Sequence, residues 1–308
     1  MLRVNEIKTV EVIGVPMDMG ANTRGACMGP MAIRIRGLKS ELMSLGYDVL
    51  DRGDIAVPPR EAILGNDKEH MFLGPIVETC GKLMSMLKDA LKRGHLPLIL
   101  GGDHSIAIGS ISGSAEHLRD QDQKLGLIWI DAHADFNDPS SSVTGNIHGM
   151  PLATILGRGF SSLVALSGMS KRLDPQNISL IGIRLLDDEE QGLLRSSGIT
   201  YFTMRDIDKR GMEWVMEQSI AIASKGTSGI HLSFDLDSLD PCCAPGVSTP
   251  VPGGLTAREA LLACEIIHEQ ALILSMDFVE LNPMFDVQQR TAGLCIDLIQ
   301  RVLGKKII

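Results

Sequence analysis

Apolar runs of strand length recur along this chain at residues 10–15, 96–100, 125–130, 178–183, 230–234 and 271–276, with stretches of helical spacing between them. Strands that alternate with helices build a mostly parallel sheet covered on both faces. The clearest helix covers residues 75–93, where Ile76, Cys80, Leu83, Leu87 and Leu91 follow a period of about 3.6 and Gly94 marks the stop. A second covers residues 256–270, with Thr256 as its cap and Glu259 as the capping-box partner. No internal repeat of fixed period interrupts this alternation.

In such a sheet ligands bind beyond the carboxyl ends of the strands. Three acidic segments hang there: Gly101-Gly102-Asp103-His104-Ser105, Asp131-Ala132-His133-Ala134-Asp135 and Asp235-Leu236-Asp237. In an extended chain alternate side chains share one face, so Asp131, His133 and Asp135 can point together, as can Asp235 and Asp237. Carboxylates packed that closely repel unless something positive lies between them, and a dinuclear divalent metal centre is the simplest candidate.

Each segment also has a plainer explanation. Asp-x-His-x-Asp can be a polar loop, Asp103 or Ser105 a helix cap, and Asp235 and Asp237 strand-end turn formers. Independent turns, however, have no reason to collect His104, Asp131, His133, Asp135, Asp235 and Asp237 at one sheet edge. Four carboxylates and two imidazoles form an oxygen-rich set that favours manganese over zinc, with cobalt or nickel as possible substitutes. Two such ions activate water for attack on a trigonal carbon, which is metal-assisted hydrolysis.

Further segments at the same edge are 16–30, 184–190 and 280–283. Residues 140–143 read as a solvated Ser/Thr loop. His148, flanked by Gly145 and Gly149 just past the ligand segments, is a candidate proton shuttle, although a lone histidine is more often structural.

With 308 residues and 44% hydrophobic content, the chain can bury one large core, and we expect a single domain over 1–308. A net charge of −9 and 4% aromatic residues argue against nucleic acid and suit a cationic small molecule. No run approaches the roughly 18 apolar residues of a membrane span, and no signal-peptide core precedes residue 10, so the expectation is a soluble, cytoplasmic protein. The cysteines (Cys27, Cys80, Cys242, Cys243, Cys264, Cys295) lack C-x-x-C spacing and read as small buried hydrophobes. Cys242 and Cys243 stand apart because they follow the acidic segment at Asp237.

Taken together, these residues resemble the ureohydrolase family, and within it the arginases. The likeness covers nearly the whole chain: Gly14-Val15-Pro16, Gly29-Pro30, residues 101–105 and 131–137, Gly145-Asn146-Ile147-His148-Gly149, residues 233–241, Thr249-Pro250 with Gly253-Gly254-Leu255, and residues 277–283. It implies a three-layer α/β/α sandwich around a mostly parallel sheet of about eight strands. It also implies two Mn2+ ions, one held by His104, Asp131, Asp135 and Asp235 and the other by Asp131, His133, Asp235 and Asp237. Asp131 and Asp235 would bridge. The implied reaction is attack of activated water on the guanidinium carbon of L-arginine, giving L-ornithine and urea.

By the same resemblance His148 moves a proton, Glu280 grips the guanidinium through charge-assisted hydrogen bonds, and Asp135 joins them as a catalytic group. Asn137, Thr144 and Asn146 would contact the substrate α-carboxylate, and Asp187 and Glu190 its α-amino group. Thr249, at the guanidinium end, and His133 complete the substrate contacts. The family also implies a homo-oligomer, trimer or hexamer. Two positions depart from its pattern: Leu185 stands where a polar or acidic residue is usual, and Ser248 replaces a frequent glycine.

The rival substrates are agmatine, which lacks the α-carboxylate, and other guanidino acids. Arginine is favoured by Gly145-Asn146-Ile147-His148-Gly149-Met150-Pro151 and Glu280-Leu281-Asn282-Pro283. A dinuclear phosphoesterase would need cations to clamp phosphate, and the ligand segments hold almost no Lys or Arg. A non-catalytic, metal-stabilised binding protein would have no need for His148 and Glu280.

Overall fold

The structure, a computed structural model, describes residues 7–63, 72–166 and 173–306. Its strands are β1 (Thr9–Val15), β2 (Asp48–Asp54), β3 (Leu96–Gly101), β4 (Leu125–Ile130), β5 (Leu173–Ile183), β6 (Thr200–Thr203), β7 (Gly229–Asp235) and β8 (Ile273–Val279). All pair in parallel, in the order β2-β1-β3-β8-β7-β4-β5-β6. Every expected strand is present. The two that apolar runs did not announce, β2 and β6, are the outermost. β2 reads Asp-Val-Leu-Asp-Arg-Gly-Asp and is largely exposed, a charged edge that discourages pairing with another chain.

The last strand starts at Ile273 and continues to Val279, later than the run 271–276 suggested. Ala271 is taken as the C-cap of helix Ala257–Gln270. That helix begins at Thr256 with both halves of the capping box formed. Helix Leu73–Lys92 buries Ile76, Cys80, Leu83, Leu87 and Leu91 as their spacing requires, and Gly94 follows with φ of +73°.

The pleat sends alternate side chains into two cores. Val10, Val12, Leu98, Leu100, Ile128 and Ile130 pack beneath helices Met212–Ala223, Ala257–Gln270 and Arg290–Val302. Ile13, Val15, Ile99, Leu127 and Trp129 pack on the opposite face, beneath helices Leu73–Lys92 and Ala107–Arg119. The result is the expected α/β/α sandwich. Covered on both faces, the sheet opens only at its edges.

The strand order then decides which loops meet. β3, β8, β7 and β4 are consecutive neighbours, so the segments after Gly101, Val279, Asp235 and Ile130 emerge side by side. The loop after β1 closes over them. A Cβ on Gly102 would lie 1.8 Å from the Met17 carbonyl oxygen, which accepts from the Asp103 N–H at 2.8 Å. Only glycine permits that approach. No helix among the described residues is long and apolar enough to cross a membrane.

Candidate metal centre

His104 opens a short turn that Asp103 caps by accepting the Ser105 N–H at 3.0 Å. The capping role expected for Asp103 is thus real, and it aims the next residue. His104 Nδ1 lies 3.2 Å from Asp131 Oδ2, 3.1 Å from Asp135 Oδ2 and 3.0 Å from Asp235 Oδ2. That nitrogen is buried and makes no hydrogen bond. An imidazole nitrogen ringed by carboxylate oxygens and bonded to none of them is the donor arrangement a divalent cation requires. Asp131 also belongs to a second set: His133 Nδ1 lies 3.4 Å from Asp131 Oδ1 and 3.2 Å from Asp237 Oδ2.

The route to this convergence differs from the extended alternation expected at residues 131–135. β4 stops at Ile130, and Asp131 Oδ1 folds the chain back by accepting the His133 N–H at 2.7 Å. Asp135 adopts φ of +49°, a costly conformation for a non-glycine residue that persists only where its surroundings hold it. Asp235 ends β7, and its Oδ1 accepts the Asp237 N–H at 2.7 Å within the turn Leu236–Ser238. Turn former and candidate ligand are here the same side chain.

Burial and the neighbouring Asp237 and Asp131 push Asp235 well above the ordinary carboxylate range. Burial and Asp131 push Asp135 up to about 6. Burial acts on Asp131 in the same sense, but the neighbouring imidazoles of His104 and His133 hold it well below the usual value. The protein therefore concentrates acidic groups that cannot all carry charge at ease, and a cation between them would relieve that.

Beneath the cage lies a buried scaffold that sequence reasoning missed. Trp129 Nε1 donates to Asp131 Oδ2 at 2.9 Å, and its ring stacks on His104 with centroids 4.0 Å apart. His104 Nε2 meets Ser233 Oγ at 2.9 Å, and Ser233 donates to Asp277 Oδ1 at 2.6 Å. Asp277 Oδ2 meets His231 Nε2 at 2.8 Å. If Nδ1 is to offer a lone pair to a metal, Nε2 must carry the proton and donate to Ser233, whose own proton goes to Asp277. The available signal was a polar residue inside an apolar strand, at Ser233 in β7 and at Asp277 in β8.

A cleft of about 220 Å³ opens onto the cage. It brings together His133, Asp135, Asn137, Thr144, Asn146, His148, Asp187, Glu190, Asp235, Asp237 and Thr249. His104, Asp131 and Glu280 are buried behind it. Glu280, at φ of +65°, accepts the His104 N–H through Oε1 at 3.0 Å. The same oxygen faces His148 Nδ1 at 2.9 Å, while Oε2 is buried without a partner. Burial works against a charge on His148, but Glu280, Asp135 and Asp103 raise its pKa to about 9.

On the far wall Ser141 Oγ donates to Asn137 Oδ1 at 2.8 Å, which turns the Asn137 amide N–H groups toward Asp187 and the cleft. Glu190 Oε1 accepts the Phe136 N–H at 2.9 Å, and burial pushes its carboxyl up to about 7. Thr249 Oγ1 donates to Asp237 Oδ2 at 2.7 Å. The expectation of a merely solvated loop at 140–143 needs correction: Ser141 is buried and orients Asn137, and Ser142 lines the cleft. Leu185, half exposed, lines it too. Cys80, Cys264 and Cys295 are buried as expected, whereas Cys27 and Cys243 are partly exposed and Cys242 is exposed; all six are free.

A parallel α/β/α sandwich that gathers two overlapping histidine and carboxylate sets beyond its central strands is the frame of a metal-dependent hydrolase. The family model described as the arginase family matches residues 8–304. The arginase of Bacillus caldovelox is 44% identical over 303 residues, 98% of this chain and 100% of that protein. Its native crystal structure superposes with a TM-score of 0.93, covering 98% of this chain and 100% of that one. The crystal structure of Entamoeba histolytica arginase in complex with L-ornithine is 30% identical, with a TM-score of 0.89 and coverage of 97% and 99%. The chain belongs to the arginase family and is a metal-dependent amidinohydrolase.

Proposed function

We propose that the protein hydrolyses L-arginine to L-ornithine and urea at a pair of Mn2+ ions. The inner ion would be held by His104, Asp131, Asp135 and Asp235, and the outer by Asp131, His133, Asp235 and Asp237. The observation that carries the reading is the pair of buried, unpartnered atoms, His104 Nδ1 inside the cage and Glu280 Oε2 beside it. One suits a cationic metal, the other a cationic substrate. The chemistry supplied by bound metal is a nucleophile, water with its pKa lowered toward neutrality.

The chain's own residues do the rest. A guanidinium is a poor electrophile whose charge must be held during attack, and Glu280 is fixed for that purpose through Oε1 while Oε2 stays free to accept. His148, hydrogen-bonded to Glu280, is placed to pass a proton to the leaving amine. At the other end of the cleft, the Asn137 amide with Thr144 and Asn146 offers donors to an α-carboxylate. Asp187 and Glu190 offer acceptors to an α-amino group. That pairing of donors and acceptors fits an amino acid and leaves the donors idle with agmatine. Asp135 borders both metal and proton path, and Thr249 positions Asp237 at the guanidinium end.

Urea release from L-arginine and from agmatine, assayed side by side after manganese loading, tests the reading. We expect rapid release from L-arginine only; release from agmatine alone would overturn the substrate assignment. On the family likeness we also read the chain as one catalytic unit over 1–308, working in the cytoplasm as a homo-oligomer. Analytical ultracentrifugation would report a trimer or hexamer.

A further inference from the structure

Arg184 follows β5 at the same sheet edge, yet none of the groups it bonds is a carboxylate. Its guanidinium donates only to backbone carbonyls: Nε to Val251 at 3.2 Å, Nη1 to Ser238 at 3.0 Å and Gly182 at 3.4 Å, and Nη2 to Asp237 at 2.7 Å, Val251 at 2.7 Å and Leu239 at 3.4 Å. The slot it occupies is kept by Gly254, where a Cβ would lie 2.6 Å from Nη2. Its backbone does complementary work, since the N–H groups of Arg184 and Leu185 donate to the Ala132 carbonyl at 2.9 and 3.1 Å. One residue thus ties the segment carrying Asp131 and His133 to the segment carrying Asp237, and through Val251 to the stretch that presents Thr249.

The two ligand sets are not equally dependent on this tie. His104 is braced by Ser233 and Asp131 by Trp129, both from inside the sandwich. Among the described residues no side chain supports Asp237 from below; Thr249 reaches its Oδ2, the Ala132 N–H donates to its Oδ1 at a long 3.4 Å, and the carbonyl of its own peptide is gripped by Arg184. A planar fork with five N–H donors can hold carbonyls on several segments in one fixed geometry, whereas an ammonium of the same charge offers three donors on a flexible stem.

Resting on the dinuclear reading above, we infer that Arg184 is the positioning residue of the outer metal site, clamping the Asp237 loop against the Asp131–His133 segment. The test uses Arg184→Lys and Arg184→Met in the full-length protein. Mn2+ binding is measured by equilibrium dialysis and electron paramagnetic resonance, beside thermal unfolding of the metal-free chains. We expect the second ion to bind on the order of 10- to 100-fold more weakly in both variants with the first unchanged, as for loss of an outer positioning group. In a His133→Ala background, already without the outer ion, Arg184→Lys should leave the remaining affinity unaltered. Equal weakening of both ions, a further loss in that background, or two ions held with unchanged affinity by folded Arg184→Lys would each overturn the assignment. If the unsubstituted protein bound no Mn2+, the dinuclear reading itself would fall, a result seen before any variant is compared.

Discussion

His104 reaches its carboxylates from a fully buried position, braced through Ser233 and Asp277 within the sheet, whereas the side chain of His133 is 23% exposed and its partner Asp237 is braced through loop carbonyls. The inner half of the centre is thus braced by strand residues, Trp129, Ser233 and Asp277, and the outer half by loops. Strand-borne groups are held by the core and by ladders that open only on global unfolding, while loop-borne groups can move on local opening. On the dinuclear reading proposed above, the difference implies one tightly held and one more exchangeable metal position. Asp131, which joins the two, must serve both.

Replacing that shared carboxylate should have the largest consequence. Asp131→Ala is expected to lose both ions and to lower turnover by on the order of 10³-fold or more, since several kcal/mol of stabilisation is at stake at ~1.4 kcal/mol per factor of ten. Metal analysis after gel filtration checks it, and retention of one tightly held ion would mean the halves are independent. His148→Gln separates chemistry from metal holding. Both ions should remain while kcat falls by about 10² to 10⁴, the usual contribution of a positioned proton donor. Full activity near neutral pH would remove His148 from the proton path.

The inner half has its own test. Ser233→Ala leaves the His104 Nε2–H with no acceptor in a buried site, so nothing directs the lone pair of Nδ1 toward the metal. Inner-ion affinity should drop about 10- to 100-fold with the outer ion unaffected, the mirror of the Arg184 result. Graded chelation of the unsubstituted protein sharpens the same contrast, since the outer ion should leave first. Simultaneous loss of both would erase the distinction.

The candidate ligands of both halves were legible in the sequence because each lies within five residues of a strand end, where apolar periodicity breaks into acid. It erred on how residues 131–135 converge, because period-two alternation holds only while the chain is a strand, and β4 stops at Ile130. The edge strands β2 and β6 were illegible for the converse reason: exposed on one side, they carry no continuous apolar run. The bracing groups were hidden differently. Trp129 passes for core, Ser233 and Asp277 look like single interruptions of a strand, and Arg184 looks like a surface cation. Their roles depend on neighbours as distant in sequence as Asp277 is from Ser110, a contact made only after the sheet assembles.

A helix cap outside the cleft supplies the smallest expected effect and the control for the rest. Thr256 accepts the Glu259 N–H at 3.2 Å, and Glu259 Oε2 accepts the Thr256 N–H at 2.9 Å, so both orphan donors at this helix start are satisfied locally. Thr256→Ala should therefore cost ~1 kcal/mol of stability, read as a small drop in denaturation midpoint with unchanged slope. The helix packs on the face opposite helix Leu73–Lys92, and Thr256 lies outside the cleft. Neither metal affinity should change. If it did, weakened binding in the Ser233 and Arg184 variants would report general loosening of the sandwich, and the contrast between a strand-braced and a loop-braced ion would lose its physical basis.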